Sequence, residues 1–142
     1  MSNKDFLSYN EITDIYNANK DKINSIKDGL LSSGFIPNKG ISISLYYENG
    51  QLICSNDPQG EKLEIIQDIV NDVIDFLRKN EDLRPLIMFR EVYEKTIIEF
   101  EFRSKNAKED YRAGIIYTTA PNEPWGEVDL EDNWYAYKYT MD

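Results

Sequence analysis

The chain has 142 residues, with 16 Lys and Arg against 26 Asp and Glu, no histidine and one cysteine. That length fits one domain, and 41% hydrophobic residues are enough to form a core of ordinary size. Without histidine the chain cannot form a Ser-His-Asp triad, a Cys-His pair or a histidine zinc site, and one cysteine cannot form an internal disulfide. We therefore expect a globular domain that is not an enzyme and that uses no cofactor or metal.

The net charge of −10 limits the classes of partner. Binding to DNA or RNA usually depends on Lys and Arg that release counterions from phosphates, so direct nucleic-acid binding is not expected. The same negative field repels anionic lipid. It favours association with a basic protein, because complementary potentials raise association rates. Solubility alone is the alternative explanation of the charge.

The first predicted element is a helix over residues 10–33, with Asn10 as its N-cap and Gly34 as its end. Before it, residues 1–10 contain no apolar run of signal-peptide length, and no stretch of the chain reaches the ~18–20 apolar residues of a membrane span. A cytoplasmic protein is therefore expected. The apolar positions of the helix recur at steps of three, four or seven, with Asn19 among them; they are Ile12, Tyr16, Ile23, Ile26 and Leu30.

A hairpin follows. Two strands are predicted over residues 41–47 and 51–54, separated by Asn49-Gly50, a pair that tolerates the positive φ angles of a type I′ turn. Cys54 alternates with apolar neighbours in the second strand, so we expect it to be a core residue rather than a nucleophile.

A second helix is predicted over residues 60–80. Its apolar residues fall within about half of the helical wheel, a face wide enough to need a sheet as its partner. They are Leu63, Ile65, Ile66, Ile69, Val70, Val73, Ile74, Phe76 and Leu77.

Four strands are predicted after Pro85, over residues 86–93, 96–103, 112–119 and 133–140. In the second of them, Ile98, Phe100 and Phe102 alternate with Glu99 and Glu101, which predicts one buried face and one face open to water. The element order predicts an α+β fold: a single antiparallel sheet of about five to six strands, with two helices packed on one side.

The acidic charge is concentrated near the C-terminus, since residues 109–142 contribute −6. Residues 120–134 contain two prolines and are predicted to form a loop that places acids around Trp125. A large aromatic side chain among acids is typical of a binding site for a basic protein, although Trp125 packing into the core is the alternative. The candidate binding residues are Glu123, Trp125, Glu127, Asp129, Glu131 and Asp132, followed by Asp68, Asp72 and Asp75 on the acidic side of the second helix.

Two other functions stay open. Glu99 and Glu101 are predicted on one strand face about 7 Å apart, which could in principle serve a carboxylate-dependent hydrolase such as a glycosidase. The second open function is that of a regulatory adaptor domain. The acids at 129–132 lack the spacing and the glycine of a calcium-binding loop, so no metal site is expected there.

The order of elements is similar to that of a known family. The matching parts are the Tyr-rich hairpin at 41–54, the amphipathic helix at 63–79, the hairpin at 86–103 and the final strand Trp134-Tyr-Ala-Tyr-Lys-Tyr139. Here the chain resembles the YezG-type immunity proteins of bacterial polymorphic toxin systems, or a neighbouring immunity family. The resemblance implies an antitoxin that binds a cognate secreted toxin, often a nuclease, and covers its basic cleft. The acidic segment 125–132 and the first helix depart from the family pattern.

Overall fold

The computed structural model describes residues 7–33, 43–55, 57–92, 95–103, 111–118, 128–131 and 133–140. The helices are α1 (Tyr9–Ser32), α2 (Glu61–Ile65) and α3 (Val70–Lys79), with 3-10 turns at Gln67–Ile69 and Glu81–Leu83. The strands are β1 (Ile43–Glu48), β2 (Gln51–Cys54), β3 (Leu86–Val92), β4 (Lys95–Phe102), β5 (Tyr111–Thr118), β6 (Val128–Glu131) and β7 (Trp134–Thr140).

The seven strands form one antiparallel sheet in the order β2-β1-β3-β4-β5-β7-β6, and the helices pack on one of its faces. This arrangement confirms the α+β prediction, with more strands than the five or six expected. The additional strand is β6, which lies inside the segment 120–134 that was predicted to be a loop. Val128 and Leu130 of β6 pack against the core, whereas Asp129 between them is exposed.

The pairing of β6 with β7 explains why the sequence did not predict it. The pairing is short and irregular, with a register shift between Asp129 and Glu131. Asn133, with φ of 72°, connects the two strands. A four-residue strand next to prolines carries little periodicity, and it forms because β7 offers it a partner.

The N-cap of helix α1 is Ser8, two residues before the predicted N-cap Asn10. The Ser8 hydroxyl accepts a hydrogen bond from the Glu11 backbone N–H at 3.1 Å, and the Ser8 N–H donates to Glu11 Oε1 at 3.0 Å. These two bonds form a capping box that satisfies donors left open at a helix start. The predicted apolar stripe of α1 is buried throughout. The predicted end at Gly34 lies outside the described residues.

The second predicted helix is interrupted. A 3-10 turn at Gln67–Ile69 separates α2 from α3, whereas one continuous helix was predicted over residues 60–80. Ile66 and Ile69, which border this turn, have φ angles of −102° and −109°, outside the regular helical range, so α2 and α3 do not continue as one helix. Ile66, Ile69 and Val73 stay buried, but Ile65 turns out to solvent. No helix in the described ranges is long and apolar enough to cross a membrane.

The predicted hairpin is confirmed. Asn49 and Gly50 both have positive φ, at 52° and 78°, as a type I′ turn requires. Cys54 is half-buried and packs against the core. Burial, followed by the nearby Asp57 carboxylate, raises the pKa of its thiol to about 11, so the thiol stays protonated at neutral pH.

The core lies between the helices and the sheet. Its centre is a set of ring contacts in which Phe100 of β4 meets Phe76 of α3 at 5.2 Å and Trp134 of β7 at 5.8 Å between centroids. Tyr16 of α1 packs on Trp134 at 5.9 Å. The Trp134 indole N–H donates to Asn24 Oδ1 at 3.0 Å, which satisfies the polar atom of an otherwise apolar side chain.

The opposite face of the sheet is not open to water along β4, in contrast to the prediction. Glu99 and Glu101 are each only 5% exposed, and Ile97 beside them is fully buried. Ile97, Ile116 of β5 and Tyr137 of β7 form a second apolar cluster on this face. The acids are buried because large side chains of the neighbouring strands cover the middle of the sheet.

Gly114 of β5 permits the close packing of this face. It pairs with Glu101 on one side and with Tyr137 on the other. A Cβ atom at position 114 would collide with the backbone carbonyl of Phe100 and lie 2.9 Å from the Tyr137 hydroxyl. We expect Gly114→Ala to lower the free energy of unfolding by about 1–3 kcal/mol in urea denaturation, because the backbone carbonyl cannot move aside.

The matched control is Gly50→Asn, since Gly50 has open space around it and asparagine tolerates positive φ. We expect it to cost less than about 1 kcal/mol. A Gly114→Ala variant that unfolds at the native urea midpoint would contradict this account of the packing.

Candidate functional site

Of the nine residues predicted to bind a partner, the structure describes five. Glu123, Trp125, Glu127 and Asp132 lie outside the described residues. The others are Asp129 and Glu131 on β6, Asp68 in the 3-10 turn before α3, and Asp72 and Asp75 on α3.

Glu131 is held by α1. Its Oε1 accepts a hydrogen bond from the Tyr16 hydroxyl at 2.9 Å and forms an ion pair with Lys20 Nζ at 2.5 Å. The hydrogen bond from Lys20, followed by that from Tyr16, lowers the pKa of the Glu131 carboxyl. This carboxylate therefore connects the last short strand to α1, while Asp129 on the other face of β6 is exposed.

Asp72 and Asp75 share one lysine of α1. Lys22 Nζ lies 3.1 Å from Asp72 Oδ1 and 3.6 Å from Asp75 Oδ2, and the hydrogen bond to Asp72 is the main reason that the pKa of Lys22 is raised. Residues two apart on a helix point about 200° away from each other. Lys20 and Lys22 thus contact acids on opposite sides of α1, which separates the β6 acids from those of α3.

Acids follow one another along α2, the 3-10 turn and α3. Spacings of three residues place Glu61 and Glu64 on one side of α2 and Asp72 and Asp75 on one side of α3, with Asp68 in the turn between them. We call this the acidic helical surface; its members are Glu61, Glu64, Asp68, Asp72 and Asp75. Within the described part of the chain, Glu61, Glu64 and Asp68 form no ion pair. With Lys62 as the basic residue of α2, the α2 half of this surface keeps a net negative charge.

An exposed isoleucine lies beside that charged half. Ile65 is 49% exposed and lines a groove of about 210 Å³ between the end of α1 and α2, together with Asp68 and Ser32. The helical wheel assigned Ile65 to the core, and this prediction was wrong because the wheel assumes a constant 100° step that the 3-10 turn breaks. Sequence reasoning therefore missed Ile65, and no sequence signal marked the break.

Acids dominate the exposed ionisable side chains of the described residues. The exposed acids are Asp14, Asp21, Asp28, Glu48, Glu61, Glu64, Asp68, Asp75, Glu81, Asp82 and Asp129, and the exposed bases are Lys20, Arg78, Lys79 and Arg84. None of those exposed bases lies on the α2 half of this surface, where three acids outnumber the partly buried Lys62, so this region presents a negative potential.

A second polar group of residues lies on the sheet face opposite the helices. Glu99 accepts a hydrogen bond from the Tyr137 hydroxyl at 2.5 Å, and its other oxygen lies 3.1 Å from an Arg90 Nη atom. Glu101 forms ion pairs with Arg112 Nε at 3.5 Å and, more distantly, with Arg103 Nε at 3.9 Å. We call these six residues the sheet-face ionic cluster; they join β3, β4, β5 and β7 across the sheet.

The hydrolase hypothesis depends on the two carboxylates of this cluster, those of Glu99 and Glu101. Burial is the largest cause that raises the pKa of the Glu101 carboxyl, Arg112 acts in the opposite direction, and the Glu99 charge raises this pKa further. Both carboxylates have arginine partners, and Glu99 also binds a phenol. Their contacts are those of a buried network that holds neighbouring strands together.

Comparisons of the chain with protein-family models, with curated proteins and with solved structures found no match. The function is therefore argued from the residues and their geometry.

The raised pKa of Glu101 gives a pH prediction. A carboxyl whose pKa is raised by folding binds a proton more strongly in the native state, so its contribution to stability is lost as the pH rises above the ordinary value of 4.5. Between pH 4.5 and neutral pH, the free energy of unfolding of the unsubstituted protein should fall relative to that of Glu101→Gln, whose side chain stays neutral. Urea denaturation of both proteins across this range measures the difference.

Glu131→Gln is the control with the opposite sign, because the pKa of Glu131 is lowered and its contribution disappears only as the pH falls below 4.5. The same pH dependence for both substitutions would mean that Glu101 does not titrate as its burial requires.

Proposed function

We propose that this protein is a non-enzymatic inhibitor that binds a basic protein through the acidic helical surface, with Ile65 as the apolar anchor. The resemblance to YezG-type immunity proteins supplies the partner: a cognate secreted toxin, with a nuclease as the class that the resemblance implies. The inhibitor would act in the cytoplasm as an antitoxin, by covering the basic cleft that binds nucleic acid.

The exposed Ile65 among acids is the observation that supports this proposal most. In the described residues, the exposed large hydrophobic side chains are Leu31, at 41%, and Ile65, at 49%. Binding energy at protein interfaces is concentrated in a few anchors that fill pockets, surrounded by polar residues that exclude water. Ile65 with Glu61, Glu64 and Asp68 around it has this composition.

The charge of the surface fits a nuclease cleft. A cleft that binds nucleic acid is lined by Lys and Arg directed at phosphates. Carboxylates along a helix can contact the same Lys and Arg side chains in place of the nucleic-acid phosphates. Because complementary potentials also raise association rates, we expect binding to be fast and to weaken with salt.

Co-purification tests the proposal as a whole. The partner to use is the basic C-terminal domain of a large secreted protein, where the adjacent reading frame encodes one. The expected result is a complex whose dissociation constant rises steeply with salt and in which the nuclease activity is suppressed. No complex at low salt would overturn the proposal.

Ile65→Ser tests the anchor. Ile65 is half exposed, so the variant should fold normally, and it should weaken binding by about 2 kcal/mol, or roughly thirtyfold in dissociation constant, as loss of a central anchor does. Leu31→Ser is the matched control, because Leu31 is similarly exposed but lies on the side of α1 turned away from α2. Equal effects of the two substitutions would place the contact elsewhere.

Trp125 remains the predicted anchor of a second contact. Trp125→Ala is expected to cost about 2 kcal/mol of binding if the segment 120–134 meets the same partner, and isothermal titration of this variant beside Ile65→Ser compares the two regions directly. An unchanged dissociation constant removes Trp125 and its neighbouring acids from the interface.

A further inference from the structure

A cavity of about 680 Å³ opens where β1 and β3 separate. The two strands pair only from Ile43↔Phe89 to Leu45↔Ile87, whereas β1 continues to Glu48 along β2. β3 begins at Leu86, which pairs with Glu101 of β4. The volume is within the range of small-molecule sites, about 300–1,000 Å³.

The lining combines aromatic groups with charges of both signs. Tyr46 and Tyr47 of β1 form part of the wall, with Leu77 and Leu86 as apolar neighbours. The charged groups are Glu48, Glu81, Arg84 and Arg103. Two carboxylates and two guanidinium groups disfavour a ligand with charge of a single sign, because such a ligand would meet like charges in the same cavity. They favour a ligand that carries both charges.

Arg84 occupies a strained backbone position at this cavity. Its φ and ψ angles are 47° and 58°, in the left-handed region that favours glycine. Its N–H donates to the Glu81 carbonyl at 3.0 Å, which closes the 3-10 turn and places both side chains at the opening. A long charged side chain kept where glycine would be unstrained points to a role for that side chain.

Arg103 adds a second guanidinium group to the lining. Its backbone N–H bonds to the Leu83 carbonyl, which fixes the end of β4 against the same 3-10 turn. Its Nε is buried beside Glu101, 3.9 Å from a carboxylate oxygen, so this atom is closed to a ligand in the cavity. A guanidinium group can bind a carboxylate with two parallel hydrogen bonds.

From the cavity, the two arginines and two glutamates in its lining and the strained Arg84, we propose that this cavity binds a zwitterion with an aromatic body, of the class of an aromatic α-amino acid. The ligand carboxylate binds Arg84 and Arg103, its ammonium group binds Glu48 and Glu81, and its ring packs against Tyr46 and Tyr47. This site is separate from the acidic helical surface and does not depend on the proposed inhibitor function.

Titration with three related probes tests the ligand class. L-phenylalanine carries both charges, phenylacetate lacks the ammonium group and phenethylamine lacks the carboxylate. Amide chemical shifts of Tyr46, Glu48 and Arg84 should move saturably with L-phenylalanine, with an affinity about tenfold or more above that of either single-charge analogue. No saturable shift at millimolar L-phenylalanine, or equally tight binding of phenylacetate, would overturn the proposal.

Variants test the assigned groups. Arg84→Gln should weaken L-phenylalanine binding about tenfold, whereas Arg78→Gln, at an exposed arginine of α3 away from the cavity, should leave it unchanged. Glu81→Gln should weaken binding of L-phenylalanine but not of phenylacetate. Arg84→Gly should abolish binding without lowering the thermal midpoint, because glycine adopts the same backbone angles freely. Retained affinity in Arg84→Gly would exclude the arginine as a ligand.

Discussion

Burial of the aromatic side chains between the helices and the centre of the sheet is the constraint on which the rest of the structure depends. Phe100 projects from the central strand β4 and meets rings from α3 and β7, and Trp134 extends the contact to Tyr16 of α1. Each such ring pair contributes roughly 0.5–1.5 kcal/mol beyond the area that it buries. Because these rings fix α1 and α3 over the sheet, they also decide which sides of the helices face water.

The outward sides of the helices carry much of the exposed negative charge as a result. Lys22 pairs with both Asp72 and Asp75, and Lys20 pairs with Glu131, so the lysines of α1 partly compensate the acids in the middle of the helical layer. The α2 half of the acidic helical surface has no such lysine in the described structure. Of the acids that the sequence singled out, the binding proposal therefore rests on Asp68, and it adds Glu61, Glu64 and Ile65.

The sheet-face ionic cluster shows how an alternating strand can be misjudged. Glu99 and Glu101 alternate with Ile98 and Phe100 in the way that a half-exposed strand does, and the sequence pattern alone supports a wet face. The two glutamates are buried by side chains of β5 and β7, above all by Tyr137, which lies across Gly114. Charged side chains can be buried in such a place because arginines from adjacent strands supply their partners, and those arginines are distant in sequence.

Local patterns in the sequence determined the elements whose stability is local. The Asn49-Gly50 turn and the apolar stripe of α1 follow from backbone preference and apolar period, so they were predictable. Tertiary structure alone decided the 3-10 turn that exposes Ile65, the short strand β6 and the opening between β1 and β3. Each of these depends on where a distant element lies: Ile69 packs against Gly29 of α1, β6 pairs with β7, and Arg103 is bonded to Leu83. Contacts between residues far apart in the chain leave no periodic signal, and the proposed binding features are built from them.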